Sequence, residues 1–349
     1  MSETEITTGA SAADAIVGGP FFDDLARGQV FDGAPAVTLT GGQAAVHQSI
    51  VGDRMRLPLD DTLARAVAGH GSLAHPALVW DTAIGQSTLA THHVTANLFY
   101  RGLTFRRAPI IGDTLRTTTE VVALRQNSIK PGRHPTGLAA LRITTVDQRD
   151  HPVLDFWRCA MLPLSAEGID TGHSDDLDSV GADVADPDGD AAALGAFRTW
   201  DLTHFRSSVP GQHFQLELAG RSFTVSGGDV VSSAPELARL TLNIAKVHHD
   251  LIAAGGRRLV YGGHTIGIAL AQVTRAIPNL VAVVAWRSCD HTGPVHEGDT
   301  LHSQVTIERA EPLAAGGGFV HLRSRVTATA AANEPRRDVL DWRFVALMA

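Results

Sequence analysis

Hydrophobic residues along the chain first follow a pattern typical of a helix and then one typical of strands, in the same order in both halves. A mostly apolar stretch from Pro76 to about Leu89 predicts a buried helix, and Gly262 to about Ile277 predicts its counterpart. After each helix, apolar and β-branched residues alternate in the manner of strands. The predicted strands are His93–Arg101, Thr114–Leu124, Leu138–Val146 and Val153–Leu162, then Val281–Arg287, Thr300–Ile307, Val320–Thr329 and Val339–Met348. Each half is therefore predicted to be an α+β unit, an antiparallel sheet wrapped around a central helix.

Short sequence motifs recur in the two halves of the chain at one constant spacing of 186 positions. The matching pairs are Gly112–Leu115 with Gly298–Leu301, Val153–Asp155 with Val339–Asp341, Thr40–Gly42 with Ser226–Gly228, and Arg101 with Arg287. Several separated words that share one offset without a net insertion indicate a tandem duplication.

An acidic segment separates the two copies. The chain has 29 basic and 37 acidic residues, a formal charge of −8, yet eight aspartates and no lysine or arginine lie between Asp170 and Asp190. The remainder is close to neutral, which does not favour a nucleic-acid-binding protein. A segment so poor in apolar residues is expected to be a mobile linker. We therefore predict a flexible N-terminus at 1–18, a first repeat at 19–164, a linker at 165–196 and a second repeat at 197–349.

Several classes of protein and of site do not fit the sequence. The apolar runs are too short to span a bilayer, and the N-terminus has no basic region followed by an apolar stretch. Two cysteines, Cys159 and Cys289, do not make a disulfide framework, so we expect a cytoplasmic protein without a membrane partner. Glycine fingerprints of nucleotide binding and metal-ligand spacings are also missing, so we expect no cofactor and no metal.

Three motifs resemble the MaoC-like dehydratases, a family with the hot-dog fold that acts on acyl-CoA thioesters. A proline followed by a short spacer and Gly-Asp-Thr-Leu occurs twice, from Pro109 and from Pro294. The stretches Asn243–Asp250 and Arg257–His264 resemble the mesaconyl-CoA hydratase branch more specifically. The resemblance implies two fused hot-dog repeats. It also implies that the substrate is a branched enoyl-CoA, which brings its own coenzyme A, and that the reaction is its reversible hydration.

The resemblance also implies the site residues. In (R)-specific enoyl-CoA hydratases the active site resembles Asp-x-Asn-Pro-x-His, which places the histidine at His248 and puts Asn243 where the aspartate stands. An amide cannot act as a general base, so either His248 carries the proton chemistry or Asp250 or Asp229 supplies the carboxylate. His248, Asn243 and Gly263 are the implied catalytic residues, with Gly263 as an oxyanion donor at the start of a helix.

Substrate contacts are expected from Lys246, Tyr261, Gly262, His264 and Arg287. Lys246 replaces an apolar proline of the hydratase pattern, so its ammonium suits a substrate with a second carboxylate; Arg257, Arg258 and Arg287 are alternative partners, and a solvated lysine is an equally good interpretation. His264 either faces the pocket or only begins the helix. Arg106, Arg107 and Lys130 are the candidates for the coenzyme A phosphates.

The first copy has lost the candidate catalytic groups. The constant offset places His248 on Thr62, Asn243 on Leu57, and Gly262 on Pro76, which has no backbone N–H. We therefore expect one active site, in the second repeat. The preferred reaction is mesaconyl-CoA to β-methylmalyl-CoA. Other enoyl-CoA hydratases, a hot-dog thioesterase and a non-catalytic acyl-CoA protein stay open, and a homo-oligomer is expected because hot-dog sheets usually pair.

Overall fold

The computed structural model describes residues 17–181 and 195–349. Most of the N-terminus predicted to be flexible, residues 1–16, lies outside the described residues. The first repeat contains β1 Val30–Phe31, β2 Val37–Thr38, α1 Gly41–Val51, α2 Arg56–Leu59, α3 Asp61–Ala68, α4 Pro76–Gln86, β3 Ala96–Phe105, β4 Thr114–Gln126, β5 Thr136–Val146 and β6 Pro152–Pro163. The second contains α5 Leu202–Ser208, β7 Ser222–Thr224, β8 Asp229–Val230, α6 Ala234–Leu240, α7 Gly262–Ala276, β9 Leu280–His291, β10 Thr300–Pro312, β11 Gly318–Thr329 and β12 Arg337–Met348.

One continuous antiparallel sheet joins the two repeats. Its order is β1-β4-β5-β6-β3-β9-β12-β11-β10-β7, with β2 added to β4 and β8 added to β10. The repeats meet where β3 pairs with β9, with Tyr100 opposite Cys289. The strand that follows the long helix of one repeat therefore lies beside its counterpart in the other.

The two long helices, α4 and α7, occupy the core against this sheet. In α4 every residue after Pro76 is buried, and in α7 buried residues run from Gly263 to Thr274. A helix that is apolar on all sides is stable only when it is surrounded. Trp80 of α4 packs against Trp286 and Trp342 of the second repeat, with ring centroids 4.8 Å and 6.2 Å away. The core is thus shared between the repeats.

Helix α4 is shorter than the sequence predicts, and the strand after it begins later. The Ser87 and Thr88 hydroxyls donate to the carbonyls of Ile84 and Gly85, at 2.6 and 2.5 Å. Such side-chain bonds compete with the helical pattern. A 3-10 turn at Ser87–Thr91 follows, and β3 starts at Ala96.

The first part of the acidic segment is not a mobile linker, which corrects the prediction for 165–181. Leu177 is buried with Cys159 of β6 and Ala140 of β5. The Arg101 guanidinium donates to three carbonyls, those of Leu177, Asp178 and Val180. A few apolar side chains and one arginine are therefore enough to dock a strongly acidic stretch. Its remainder, 182–194, lies outside the described residues.

The repeated Gly-Asp-Thr-Leu motif forms the same turn in each copy. Asp113 accepts a hydrogen bond from the Ile110 N–H at 3.0 Å, and Asp299 accepts one from the His296 N–H at 2.8 Å. Each buried carboxylate also pairs with an arginine, Arg107 in the first copy and Arg257 in the second. The same four-residue motif therefore stands in both repeats because both contain the same turn.

Across the described ranges, no helix is long and apolar enough to cross a membrane.

Candidate active site

A cavity of about 260 Å³ lies between the two repeats. Its walls come from α4, β3 and β6 of the first repeat, and from 243–265 and 291–295 of the second. Among its lining residues, the polar or charged side chains are those of Thr88, Thr95, Asn97, Tyr100, Arg158, Asn243, His248, Tyr261, Thr265, His291 and Thr292. Since each repeat contributes one wall, the cavity exists only in the paired arrangement.

His248 presents an unprotonated ring nitrogen to this cavity. Its Nδ1 lies 2.8 Å from the carbonyl oxygen of Leu259, which can only accept, so Nδ1 carries the proton and Nε2 keeps its lone pair. Burial lowers the pKa of His248 to about 4; the Leu259 carbonyl raises it, and His249 and Arg158 lower it further. The side chain is therefore a neutral imidazole at pH 7, with the lone pair of Nε2 available.

The loop that carries Asn243 is held by close backbone packing. Gly85 of α4 lies against the carbonyl of Thr241, where a Cβ would overlap that oxygen. Leu242 adopts the left-handed conformation, with a φ of 60°, which is strained for a bulky residue. Asn243 Oδ1 accepts the Ala245 N–H at 3.0 Å. Within the described ranges nothing accepts from the Asn243 side-chain N–H groups, so they can donate to a molecule in the cavity.

A buried carboxylate lies behind the Tyr261 hydroxyl. The Tyr261 O–H donates to Asp81 Oδ1 at 3.2 Å, and the other oxygen of Asp81 lies 3.0 Å from His47 Nε2. Burial raises the pKa of Asp81, while the hydrogen bonds from His47 and Tyr261 act in the opposite direction. The arrangement fixes the orientation of the Tyr261 ring, which lines the cavity.

A second histidine, His291 at the end of β9, also lines the cavity. Burial lowers the pKa of His291 to about 4, and its Nε2 has no hydrogen-bond partner among the described residues. A Cβ on Gly262 would lie 2.7 Å from this Nε2, so glycine is needed there for the ring to approach α7. Gly262 is the first residue of α7, and the first N–H groups of a helix have no partner within it. The positive end of the α7 helix dipole therefore lies at the cavity.

The equivalent position in the first repeat is filled by apolar side chains. A space of only about 30 Å³ remains there, lined in part by Leu57, Pro76 and Phe105, which correspond by the constant offset to Asn243, Gly262 and His291. Phe197 and Trp200 line it as well. Of these two equivalent positions, only the one in the second repeat therefore forms a polar cavity.

Comparisons with known proteins support this architecture. No protein-family model matches the chain. A solved structure of a conserved hypothetical protein from Mycobacterium tuberculosis, which has a double hot-dog fold, is 59% identical, with a TM-score of 0.89. The match covers 96% of this chain and 100% of that one. A structure described as a MaoC domain protein dehydratase from Chloroflexus aurantiacus is 25% identical, with a TM-score of 0.79, and covers 96% of this chain and 99% of that one. The chain belongs to the MaoC-like double hot-dog family.

The double hot-dog fold expected from the sequence is thereby confirmed for this MaoC-like chain. A curated β-methylmalyl-CoA dehydratase of Chloroflexus aurantiacus is similar as well, at 29% identity over 95% of this chain and 97% of its own length. The boundaries predicted for the two repeats stay predictions.

Four residues predicted from the sequence line the cavity of this MaoC-like protein: His248, Asn243, Tyr261 and Gly262. Gly263 does not line it. Its Cα faces the Asp81 carboxylate and the Tyr261 ring, so Gly262 is the better candidate for the oxyanion donor.

Three predicted substrate contacts need correction because their side chains do not line the cavity. His264 is fully buried, and both its ring nitrogens lack a partner among the described residues. Lys246 is half-buried; its backbone N–H donates to the His92 carbonyl, and its ammonium helps burial to lower the pKa of His92 and His93. Arg287 lies half-buried on β9, next to the core residue Trp286.

The candidates for phosphate contacts and for the missing carboxylate also lie elsewhere. Arg106 lies 3.9 Å from Asp155, and Arg107 pairs with Asp113 and Asp147, so both already face carboxylates. Lys130 is exposed in the turn after β4. Asp229 accepts from Gln272 at 2.6 Å, and Asp250 caps a surface turn. Neither of these two carboxylates reaches the cavity.

Sequence reasoning missed Arg158, His291 and Asp81. All three lie in or beside the cavity but outside the family motif, and Arg158 and Asp81 belong to the repeat that was expected to have lost its function.

No group of His, Cys, Asp and Glu within the described ranges could hold a metal ion.

Replacing Gly263 with alanine should destabilise the protein by about 1–3 kcal/mol, the usual effect of overpacking a core. The new Cβ would overlap Asp81 Oδ1 and lie 2.6 Å from the Tyr261 ring. Gly42 is the matched control, because it is the second residue of α1 as Gly263 is of α7, and its Cβ would meet only Thr40 at 3.8 Å. Urea unfolding of G263A and G42A checks this; equal stability of the two variants would contradict it.

Proposed function

We propose that the protein catalyses the reversible addition of water to an enoyl-CoA thioester, as a hydro-lyase that needs no cofactor beyond the coenzyme A of its substrate. The observation that carries the proposal is the cavity between the repeats, which is lined by both His248, with its unprotonated Nε2, and the first residue of α7. A base for water and a positive helix end for the thioester oxygen are the two groups that such an addition requires.

In the proposed reaction His248 Nε2 takes a proton from water while the water oxygen bonds to the β-carbon. The C=C π electrons shift toward the thioester, and negative charge develops on its oxygen. The Gly262 N–H at the start of α7 would stabilise this charge. The imidazolium then gives its proton to the α-carbon, which restores the neutral base. Every proton and electron pair is accounted for without another reactant.

A low pKa fits this double role of His248. An imidazole whose pKa lies near 4 is a weak base but a strong acid once protonated, so it returns the proton readily. Asn243, with donors directed to the cavity, would orient the attacking water. Tyr261 would form part of the cavity wall, and its hydrogen bond to Asp81 would hold its hydroxyl in a fixed position.

For the acyl group we propose mesaconyl-CoA, hydrated to β-methylmalyl-CoA. The support is the likeness to a relative named for the reverse reaction and the presence of a cation, Arg158, within the cavity. Mesaconyl-CoA carries a second carboxylate on the carbon that water attacks. A monocarboxylic enoyl-CoA would leave that cation without a partner.

The proposal predicts turnover of mesaconyl-CoA by the purified full-length chain. Loss of the conjugated thioester absorbance should accompany formation of β-methylmalyl-CoA, whereas a thiol reagent should detect no release of coenzyme A. Crotonyl-CoA and 2-methylcrotonyl-CoA, the latter differing from mesaconyl-CoA by a methyl group in place of the carboxylate, serve as comparison substrates. Thiol release as the main reaction would identify a thioesterase, and no hydration of any ester would refute the proposed lyase activity.

A further inference from the structure

Arg158 is a buried cation without a buried anion. Its side chain lies on β6 of the first repeat, only 3% exposed, directly opposite Tyr100 of β3. One terminal nitrogen, Nη2, donates to the Ser87 carbonyl at 3.2 Å and to Thr91 Oγ1 at 2.7 Å. These partners are neutral. In the described ranges no carboxylate pairs with this guanidinium, and Nε has no hydrogen-bond partner.

Such an arrangement is unusual for a purely structural arginine. A buried charge is normally paired, because removing it from water costs several kcal/mol that only an opposite charge or a full set of hydrogen bonds offsets. Arg107, which is less buried than Arg158, does face carboxylates, those of Asp113 and Asp147. Arg158 instead faces the cavity, where the neighbouring phenols of Tyr100 and Tyr261 carry no negative charge at pH 7, and burial raises the pKa of both still further.

We propose that Arg158 is the receptor for a carboxylate on the acyl group of the substrate, and hence the residue that selects dicarboxylic over monocarboxylic acyl-CoA esters. The inference rests on the proposed hydration of an enoyl-CoA and extends it to the specificity of the site. Because Nη2 is engaged by Ser87 and Thr91, the donor left for a carboxylate in the cavity is the other terminal nitrogen, Nη1, and a hydrogen bond from it would be assisted by the charge of the guanidinium.

The position of Arg158 relative to His248 supports this assignment. The guanidinium is close enough to lower the pKa of the imidazole. In mesaconyl-CoA the second carboxylate is attached to the carbon that receives water, so a carboxylate held at Arg158 brings that carbon near His248. The same carboxylate neutralises the guanidinium and so raises the pKa of His248, which makes it a better base only when the correct substrate is bound.

Lys246, the cation that the sequence favoured for this role, does not line the cavity. Its influence is on His92 and His93. The substrate carboxylate is therefore assigned to the first repeat, while the base belongs to the second.

A binding experiment tests the proposal without relying on turnover. The probes are methylsuccinyl-CoA and 2-methylbutyryl-CoA, two saturated esters that differ only by a carboxylate in place of a methyl group. The wild-type chain should bind the first about 10- to 150-fold more tightly in isothermal titration calorimetry, the range expected for hydrogen bonds to a charged group. Arg158→Met should reduce this ratio to about one, and Arg158→Lys should keep part of it.

The control is Arg142→Met, because Arg142 lies on the neighbouring strand β5 and pairs with Asp155 outside the cavity. It should leave the ratio unchanged. Circular dichroism and thermal unfolding establish that each variant is folded; if Arg158→Met does not fold, Arg158→Lys decides, since its ratio must fall below that of the wild type. A wild-type chain without preference would overturn the proposal, as would a preference that survives in Arg158→Met, or an equal loss of affinity for both esters.

Turnover separates this proposal from the proposed function. If mesaconyl-CoA is hydrated, Arg158→Met should lower kcat/KM for mesaconyl-CoA about 10- to 150-fold more than it changes kcat/KM for 2-methylcrotonyl-CoA. If the wild-type chain hydrates neither ester yet prefers methylsuccinyl-CoA through Arg158, the hydratase function fails and the carboxylate site stands.

Discussion

Replacing His248 with asparagine should lower kcat for mesaconyl-CoA hydration by about 10²–10⁴-fold, the contribution of a general base. Asparagine can place its amide nitrogen where Nδ1 lies, and so retain the 2.8 Å hydrogen bond to the Leu259 carbonyl. It has no basic nitrogen in the position of Nε2. The substitution therefore removes the base while it disturbs the fold little. Initial rates at saturating substrate measure the effect.

The neighbouring histidine provides a matched control. His249 Nε2 donates to the Asn243 carbonyl at 2.7 Å and does not line the cavity. His249→Gln can retain that bond and should keep kcat within a few-fold of the wild type. An H248N variant with nearly full activity would exclude His248 as the base and would direct attention to His291, the other neutral histidine in the cavity.

Acidification from pH 6.5 toward pH 4 should destabilise the folded chain by up to about 4 kcal/mol per pH unit. Burial lowers the pKa of His248, His264 and His291 to about 4, while an unfolded chain binds these three protons near pH 6.5. Between these values the unfolded state binds more protons, so stability falls as the pH falls. Above pH 6.5 both states are neutral, and these groups add no pH dependence. Asp81, whose pKa burial raises, acts in the opposite direction and reduces the slope.

Urea unfolding followed by tryptophan fluorescence at pH 7, 6 and 5 measures this slope. His264→Leu should reduce it by about a third, because one of three protons is removed. His134→Leu, which changes an exposed histidine, should leave it as in the wild type. A free energy of unfolding that is constant from pH 7 to pH 5 would contradict the assignment of neutral buried histidines.

The two-repeat architecture could be predicted from the sequence because the duplication left the same short motifs in both halves of the chain. Turn residues such as Gly112 and Asp113 must recur wherever the same turn is built, and buried helices such as α7 must be apolar on every side. Both constraints are local, and a linear pattern can reveal them. The prediction of a mobile linker failed over 165–181 because composition does not show that Leu177 finds an apolar surface on another strand.

The same distinction divides the candidate site. The sequence by itself determined the duplication, the position of His248 and the loss of polar groups from the first copy, since each follows from comparing positions along the chain. Only the tertiary structure decided that Arg158 and Asp81 of the first repeat face the second, that Lys246 and His264 do not line the cavity, and that His248 is a neutral imidazole. Burial, charge pairing and protonation depend on which groups meet across the two repeats, and that depends on strand pairing and on the side-chain directions set at β3 and β9.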